Sequence, residues 1–329
     1  MSKPRARKIP IGVFDPVYAD VSLDDMLQKV GGLGLDAMEI ATGGYPGNPH
    51  CQVDALLADS GKLKAWMKKF DEAGLHIATF SCHGNPLHPN PTIANRDAET
   101  FRRTVLLAER VGVEVIVGFA GCPGASAADK HPNWITYRWP PEYAAALDWQ
   151  WKERVIPYWK KAAAFARQHG IRKIALEMHP NFAVYNLKTL LKLREAVGEE
   201  IGANSDPSHL FWQQCDPVEV VQALAKEGAL FHAHMKDAVL EPRNVARYGV
   251  LNFGFTTDEI PESSDYFRAV GYGHGAETWK AILRAHMEAG YQGIISIENE
   301  DAQLEGAAGV ERAAFVLKNV RDELLGEAG

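Results

Sequence analysis

Eight times along this chain, a short run rich in apolar and β-branched residues precedes a longer stretch with helical spacing. The runs lie near 9–15 (IPIGVFD), 36–42 (DAMEIAT), 76–83 (HIATFSCH), 113–120 (VEVIVGFA), 173–179 (KIALEMH), 201–206 (IGANSD), 230–236 (LFHAHMK) and 293–299 (GIISIEN). In 97–111, Phe101, Val105, Leu106 and Ala108 recur at helical intervals. Glycine closes several helical stretches just before the next run, as in EAGLHIA, RVGVEVI, QHGIRKIA and EAGYQGII. That is the helix C-cap glycine followed by a short loop. Eight such units without a break in composition predict an α/β fold, a single (β/α)₈ TIM barrel over 1–329.

Two connections exceed the usual length. One is 121–142, GCPGASAADKHPNWITYRWPPE; the other is 238–276, ending in AVGYGHG. Each follows a predicted strand, so each is expected on the catalytic face as a lid or pocket wall.

Four runs end in residues that ligate metals: Glu177, Asp206, His232 with His234, and Glu298. In a barrel of this kind the C-terminal strand ends carry the active site. Two Glu, one Asp and one His there predict a site for a hard or borderline divalent cation. His232 and His234 alternate along one strand and face the same side. His234, nearer the strand end, is the expected ligand; His232 is read as a supporting or packed residue. Lys236 continues the alternation and is placed to neutralise an enolate oxygen. Asp237 turns to the other side and is expected to orient a neighbour. His209, three residues after Asp206, points into the same loop mouth.

Other candidates are weaker. His83 in SCHGNPLHP suits a substrate hydroxyl or proton relay, as does His88, although a loop histidine is often merely solvated. Glu39 is interior by alternation and is read as an anchor for substrate or for a neighbouring histidine. Trp139, with Trp134 and Tyr137, offers aromatic faces of the kind that stack on sugar rings, or ordinary core residues.

The composition excludes several classes. The 329 residues carry a net charge of -7 with both signs interspersed, which argues against nucleic acid as a partner. No run is long enough for a membrane span. MSKPRARKIP is basic but has no hydrophobic stretch behind it, so it is not read as a signal peptide. Cys51, Cys82, Cys122 and Cys215 form no CxxC pair and are read as reduced thiols of a cytoplasmic protein. GGYPGNP at 43–49 lacks the spacing of a phosphate-binding loop.

Read together, ALEMHP, SDPSH, HMKD, VGYGHG and EAGYQGIISIENED give a chain that resembles the sugar phosphate isomerase/epimerase family of xylose isomerase-like TIM barrels. The resemblance runs from Phe14 to the final helix. It implies that Glu177, Asp206, His234 and Glu298 hold one divalent cation, Mn favoured over Co, Mg or Zn. It implies a small carbohydrate substrate and an isomerase or epimerase that moves a proton on a ketose or keto-sugar through an enediolate. Glu177 and Glu298 would exchange the proton, with His209 and Lys236 handling charge and His83, Glu39 and Trp139 holding substrate. The alternative is a lyase or dehydratase that expels a β-substituent from a keto-sugar, keto-glycoside or inosose. The assembly state stays open, a homo-oligomer included.

Overall fold

The computed structural model describes residues 8–254 and 256–327. The basic residues 1–7 of the N-terminal stretch discussed above lie outside them. Among the described residues ten strands occur: β1 (Ile11–Phe14), β2 (Ala37–Ala41), β3 (His76–Ser81), β4 (Val115–Phe119), β5 (Lys173–Glu177), β6 (Ile201–Ser205), β7 (Leu230–Met235), β8 (Asp237–Leu240), β9 (Asp265–Arg268) and β10 (Ile295–Ile297). Eight close into a barrel in the order β1-β10-β7-β6-β5-β4-β3-β2. Each of the eight runs predicted from sequence contains one of these strands, trimmed at its ends.

The local physics is that of buried parallel strands. Ile11 and Val13 in β1, and Ile295 and Ile297 in β10, are fully buried. Such side chains contribute about 1.5–3 kcal/mol each relative to exposure. Between strands, the helix Pro91–Val111 ends at Gly112, whose φ of 87° is left-handed and whose N–H bonds back to Ala108. Gly74, Gly170 and Gly290 take the same backbone conformation at the other predicted helix ends.

The chain divides into two compact units. The first comprises Met1–Glu39, Lys69–His76 and Ser205–Gly329; the second comprises Ile40–Lys68 and Ile77–Asn204. In the first, β1 pairs with β10 and β2, and β10 with β7, all parallel. The register sets Phe14 against Glu39 and Ser296 against His234. The helix Ala276–Glu288 packs on Gly306–Glu327 and Pro217–Lys226. In the second, β3, β4, β5 and β6 pair in sequence, with Phe119 opposite Glu177 and Glu177 opposite Asn204.

The segment 238–276 is more ordered than its reading as a connection implies. β8 and β9 pair antiparallel, Asp237 opposite Arg268 and Leu240 opposite Asp265, with the helix Pro242–Tyr248 between them. The two four-residue strands lie 24 residues apart, too short and too distant for periodicity to expose their pairing. Among the described residues no helix is long and apolar enough to cross a membrane, and all four cysteines are free.

Candidate metal and catalytic site

In the first unit, β7 turns His232 and His234 to the same side, both fully buried. Behind them lies Glu39, at the end of the register from β1. Its carboxylate is 2.7 Å from His232 Nε2 and 3.0 Å from His234 Nε2, and accepts from Ser296 Oγ at 2.5 Å. Burial opposes the ionisation of Glu39, but the two imidazoles outweigh it and hold the carboxyl well below its usual range. Of the two roles read from sequence, these contacts are those of a histidine anchor.

The other edge of His234 faces Glu298, with Nδ1 3.1 Å from Oε2, while Phe14 stacks on the ring at 5.6 Å. Two carboxylates therefore flank one imidazole. A neutral imidazole carries one N–H and serves only one of them. Donation from Nε2 to Glu39 leaves the Nδ1 lone pair pointing at an anion, an arrangement that a second proton or a cation relieves.

Lys236 is buried at 1% exposure. Its Nζ lies 2.7 Å from Glu298, 2.8 Å from Glu300 and 3.2 Å from Asp206, and 4.5 Å above the Phe267 ring. Asp206 caps the short helix Pro207–Phe211, accepting from Ser208 N through Oδ1 at 2.8 Å. Its Oδ2 is buried and accepts no hydrogen bond, although His209 Nε2 stands 3.4 Å away. Asp206, His234 and Glu298 each offer a ligand atom, and those atoms lie within 4.8 Å of one another. The carboxylates of buried Asp206, of Glu298 and of Glu300 thus share one ammonium. Buried anionic excess is costly without further cation. The buried Asp206 oxygen, the Nδ1 lone pair and this charge imbalance all fit a divalent cation with oxygen and nitrogen ligands.

Asp237 faces away, as its alternation predicts. It accepts from the backbone N–H of Gly271, Gly273 and His274 and from His274 Nδ1 at 2.8 Å. It thereby pins the VGYGHG turn. Asp265, on β9, is 2% exposed and has an unpartnered Oδ1. Burial pushes its carboxyl up to about 7, against the pull of His209.

In the second unit, Glu177 is the last residue of β5 and is buried. Its Oε2 is 3.2 Å from His83 Nε2 and accepts from Asn204 Nδ2 at 3.0 Å. Asn204 precedes Asp206 by two residues. His83 meets the edge of Phe119 at 4.6 Å, and Phe119 stacks on Phe182 at 4.1 Å. The turn after Glu177 passes through Asn181 at φ 67°, a left-handed conformation that asparagine tolerates, and so returns Phe182 to Phe119. Trp139 stands 70% exposed. Trp134 and Trp151 instead line a cavity beside the 121–142 segment.

Asn204, Ser296 and Phe119 were not legible as site residues. A signal existed for two of them. Asn204 and Ser296 each stand two residues before a selected ligand, on the same strand face, as His232 does before His234. In the structure Asn204 donates to Glu177 and Ser296 to Glu39.

Comparison with known proteins adds to this geometry. A family model described as a xylose isomerase-like TIM barrel matches residues 27–320. A Bacillus subtilis (strain 168) protein named "Uncharacterized protein YfiH" is 36% identical over 297 residues, 90% of this chain and 94% of that protein. The solved D-tagatose 3-epimerase-like protein superposes with a TM-score of 0.62 at 21% identity, covering 96% of this chain and 100% of its own. The probable 3-DHS dehydratase AsbF from Bacillus anthracis superposes with a TM-score of 0.64 at 17% identity, covering 94% and 99%. At such identities the two structures establish a shared fold.

Proposed function

Because the chain belongs to the xylose isomerase-like TIM barrel family, we propose that it is a divalent-metal-dependent isomerase or epimerase of a ketose or keto-sugar. One observation carries the reading: Asp206, His234 and Glu298 converge within ligand range, with the Lys236 ammonium against Glu298. The cation would be held by Asp206, His234 and Glu298, with Glu177 as the fourth ligand, Mn²⁺ favoured. Once bound, it would polarise a carbonyl and acidify the neighbouring C–H.

The chain's own residues then divide the work. Glu298 and Glu177 exchange the α-proton, one taking it and the other returning it. General acid–base catalysis of this kind is commonly worth roughly 10²–10⁴-fold. Lys236 stabilises the oxygen that becomes negative as the proton leaves. His209, buried beside Asp206, relays protons, and His83 and Asn204 hold Glu177 by its Oε2. Glu39 fixes the ring and tautomer of His234. Keto-sugars incubated in D₂O with the Mn²⁺-loaded protein should exchange their α-proton, read by proton NMR. No exchange with any keto-sugar, at confirmed metal occupancy, sinks the proposal.

A second reading is favoured by Asp265. A carboxyl that carries a proton near pH 7 is what expulsion of a hydroxyl or alkoxide requires. The same enolising site would then act as a lyase or dehydratase. The D₂O experiment distinguishes them, because elimination consumes the substrate and leaves an unsaturated product.

A further inference from the structure

The second unit contains a cavity of about 340 Å³ between the 121–142 segment and the start of the helix Leu187–Val197. This is near the lower end of the range for small-molecule pockets, which starts at about 300 Å³. Its walls are built rather than incidental. The helix Pro141–Trp149 runs into a π-helical turn at Gln150–Val155, which carries Gln150 and Trp151 into the wall. Gln150 Nε2 then donates to the carbonyls of Gly124 at 3.0 Å and Asn133 at 2.7 Å, tying down the segment that presents Trp134.

The lining has a definite chemical sense. Trp134 and Tyr185 meet edge to face at 5.3 Å, and Trp151 contributes a third aromatic wall. Arg138, Lys188 and Lys192 supply the charge, and no Asp or Glu lines the space. Arg138 is held in place by a two-point pair with Asp148 at 2.7 and 2.9 Å. Lys192 Nζ sits 3.9 Å over the Trp151 ring. Trp134 Nε1 is buried with no hydrogen-bond partner. A buried donor left unpaired is costly, and a ligand acceptor would remove that cost. Aromatic faces, an orphaned donor and the two lysines, with Arg138 already matched by Asp148, together favour an acceptor-rich anion that carries a ring.

A chain of ring contacts links the cavity wall to Glu177 in the same unit. Phe182 lines it and stacks on Phe119, whose edge meets His83, the partner of Glu177. We infer that this cavity is a binding subsite for a sugar-sized ring bearing a carboxylate or phosphate, so that the substrate is an acidic sugar or a sugar joined to such a group. That the ligand is a sugar rests on the function proposed above; that it is an anionic ring rests on the cavity alone.

Trp134 and Trp151 make the test optical. The intact, metal-free protein is titrated with a hexuronate, a hexose 6-phosphate, the neutral hexose and inorganic phosphate, following tryptophan fluorescence. At least one acidic sugar should give a saturable change, half complete at a concentration at least tenfold below that for the neutral hexose and for phosphate. Which of the two acids binds identifies carboxylate or phosphate as the recognised group. The Lys188→Met/Lys192→Met double variant, checked for an unaltered thermal transition, should raise that concentration at least tenfold, and Trp134→Phe should reduce the signal. Equal binding of the neutral hexose, binding of phosphate as tight as of the sugars, no saturable change with either acid, or indifference to the lysine substitutions would each overturn the inference. The titration needs neither metal nor turnover. Acidic-sugar binding by a protein that never exchanges protons would therefore sink the proposed reaction and leave the subsite standing.

Discussion

The Lys236 ammonium lies 2.7 Å from Glu298 Oε2, with Lys236 only 1% exposed. The same nitrogen reaches Asp206 at 3.2 Å, so one lysine touches two proposed metal ligands. It serves as counter-charge to these carboxylates and, in the proposed reaction, would meet the developing oxyanion. Lys236→Met should therefore separate two effects. The metal-free variant should lose on the order of 3–5 kcal/mol of stability, because a buried pair is broken. Mn²⁺ should restore much of that loss, while turnover stays depressed. Urea unfolding with and without Mn²⁺ reads both, and an apo stability equal to wild type would contradict the role as counter-charge.

Metal removal should abolish activity, and Mn²⁺ should restore it with a rise in thermal stability. A ligand that binds only the folded state at 100 times its Kd stabilises by about 2.7 kcal/mol. Full turnover after exhaustive chelation, with metal content verified near zero, would refute metal dependence.

Glu39→Gln should lower metal affinity by roughly 10–100-fold without touching substrate, since a fully buried partner of His234 acts through that ring. Isothermal titration with Mn²⁺ measures it. An unchanged affinity would reduce Glu39 to a packing residue.

Glu177→Gln and Glu298→Gln should each reduce kcat by roughly 10²–10⁴-fold at full metal loading. Steady-state kinetics paired with metal analysis decides between proton transfer and ligation alone: if kcat recovers once metal is saturating, that glutamate is only a ligand.

Asp265 sets a pH dependence of stability. Its folded-state carboxyl stands at about 7, above an unfolded value of about 3.9. The folded state therefore holds the proton longer. Stability is full below about pH 4, falls as pH rises to about 7, and levels beyond. Asp265→Asn removes the buried charge. It should be more stable than wild type at pH 8 by on the order of 2–4 kcal/mol, with the gap closing by pH 4. Parallel stability curves for the two proteins would show that Asp265 ionises freely.

The barrel and half of the candidate site were legible along the chain because both rest on local periodicity. Alternation put His232, His234 and Lys236 on one face of β7, and the glycines at helix ends marked where each strand begins. Strand ends then gave Asp206, Glu177 and Glu298 without any knowledge of neighbours. What remained hidden depends on contacts between distant segments. Glu39 bonds to His234 across 195 residues, and no local period records which imidazole a buried carboxylate will meet. The pairing of β8 with β9, the stack of Phe182 on Phe119 beside His83, and the cavity walled by Trp134 and Trp151 are likewise products of packing. Sequence determined which side chains reach the strand ends, since backbone geometry fixes that residue by residue. Tertiary structure decided which of them share a proton, a charge or a ring, because burial makes those choices only once the chain has closed on itself.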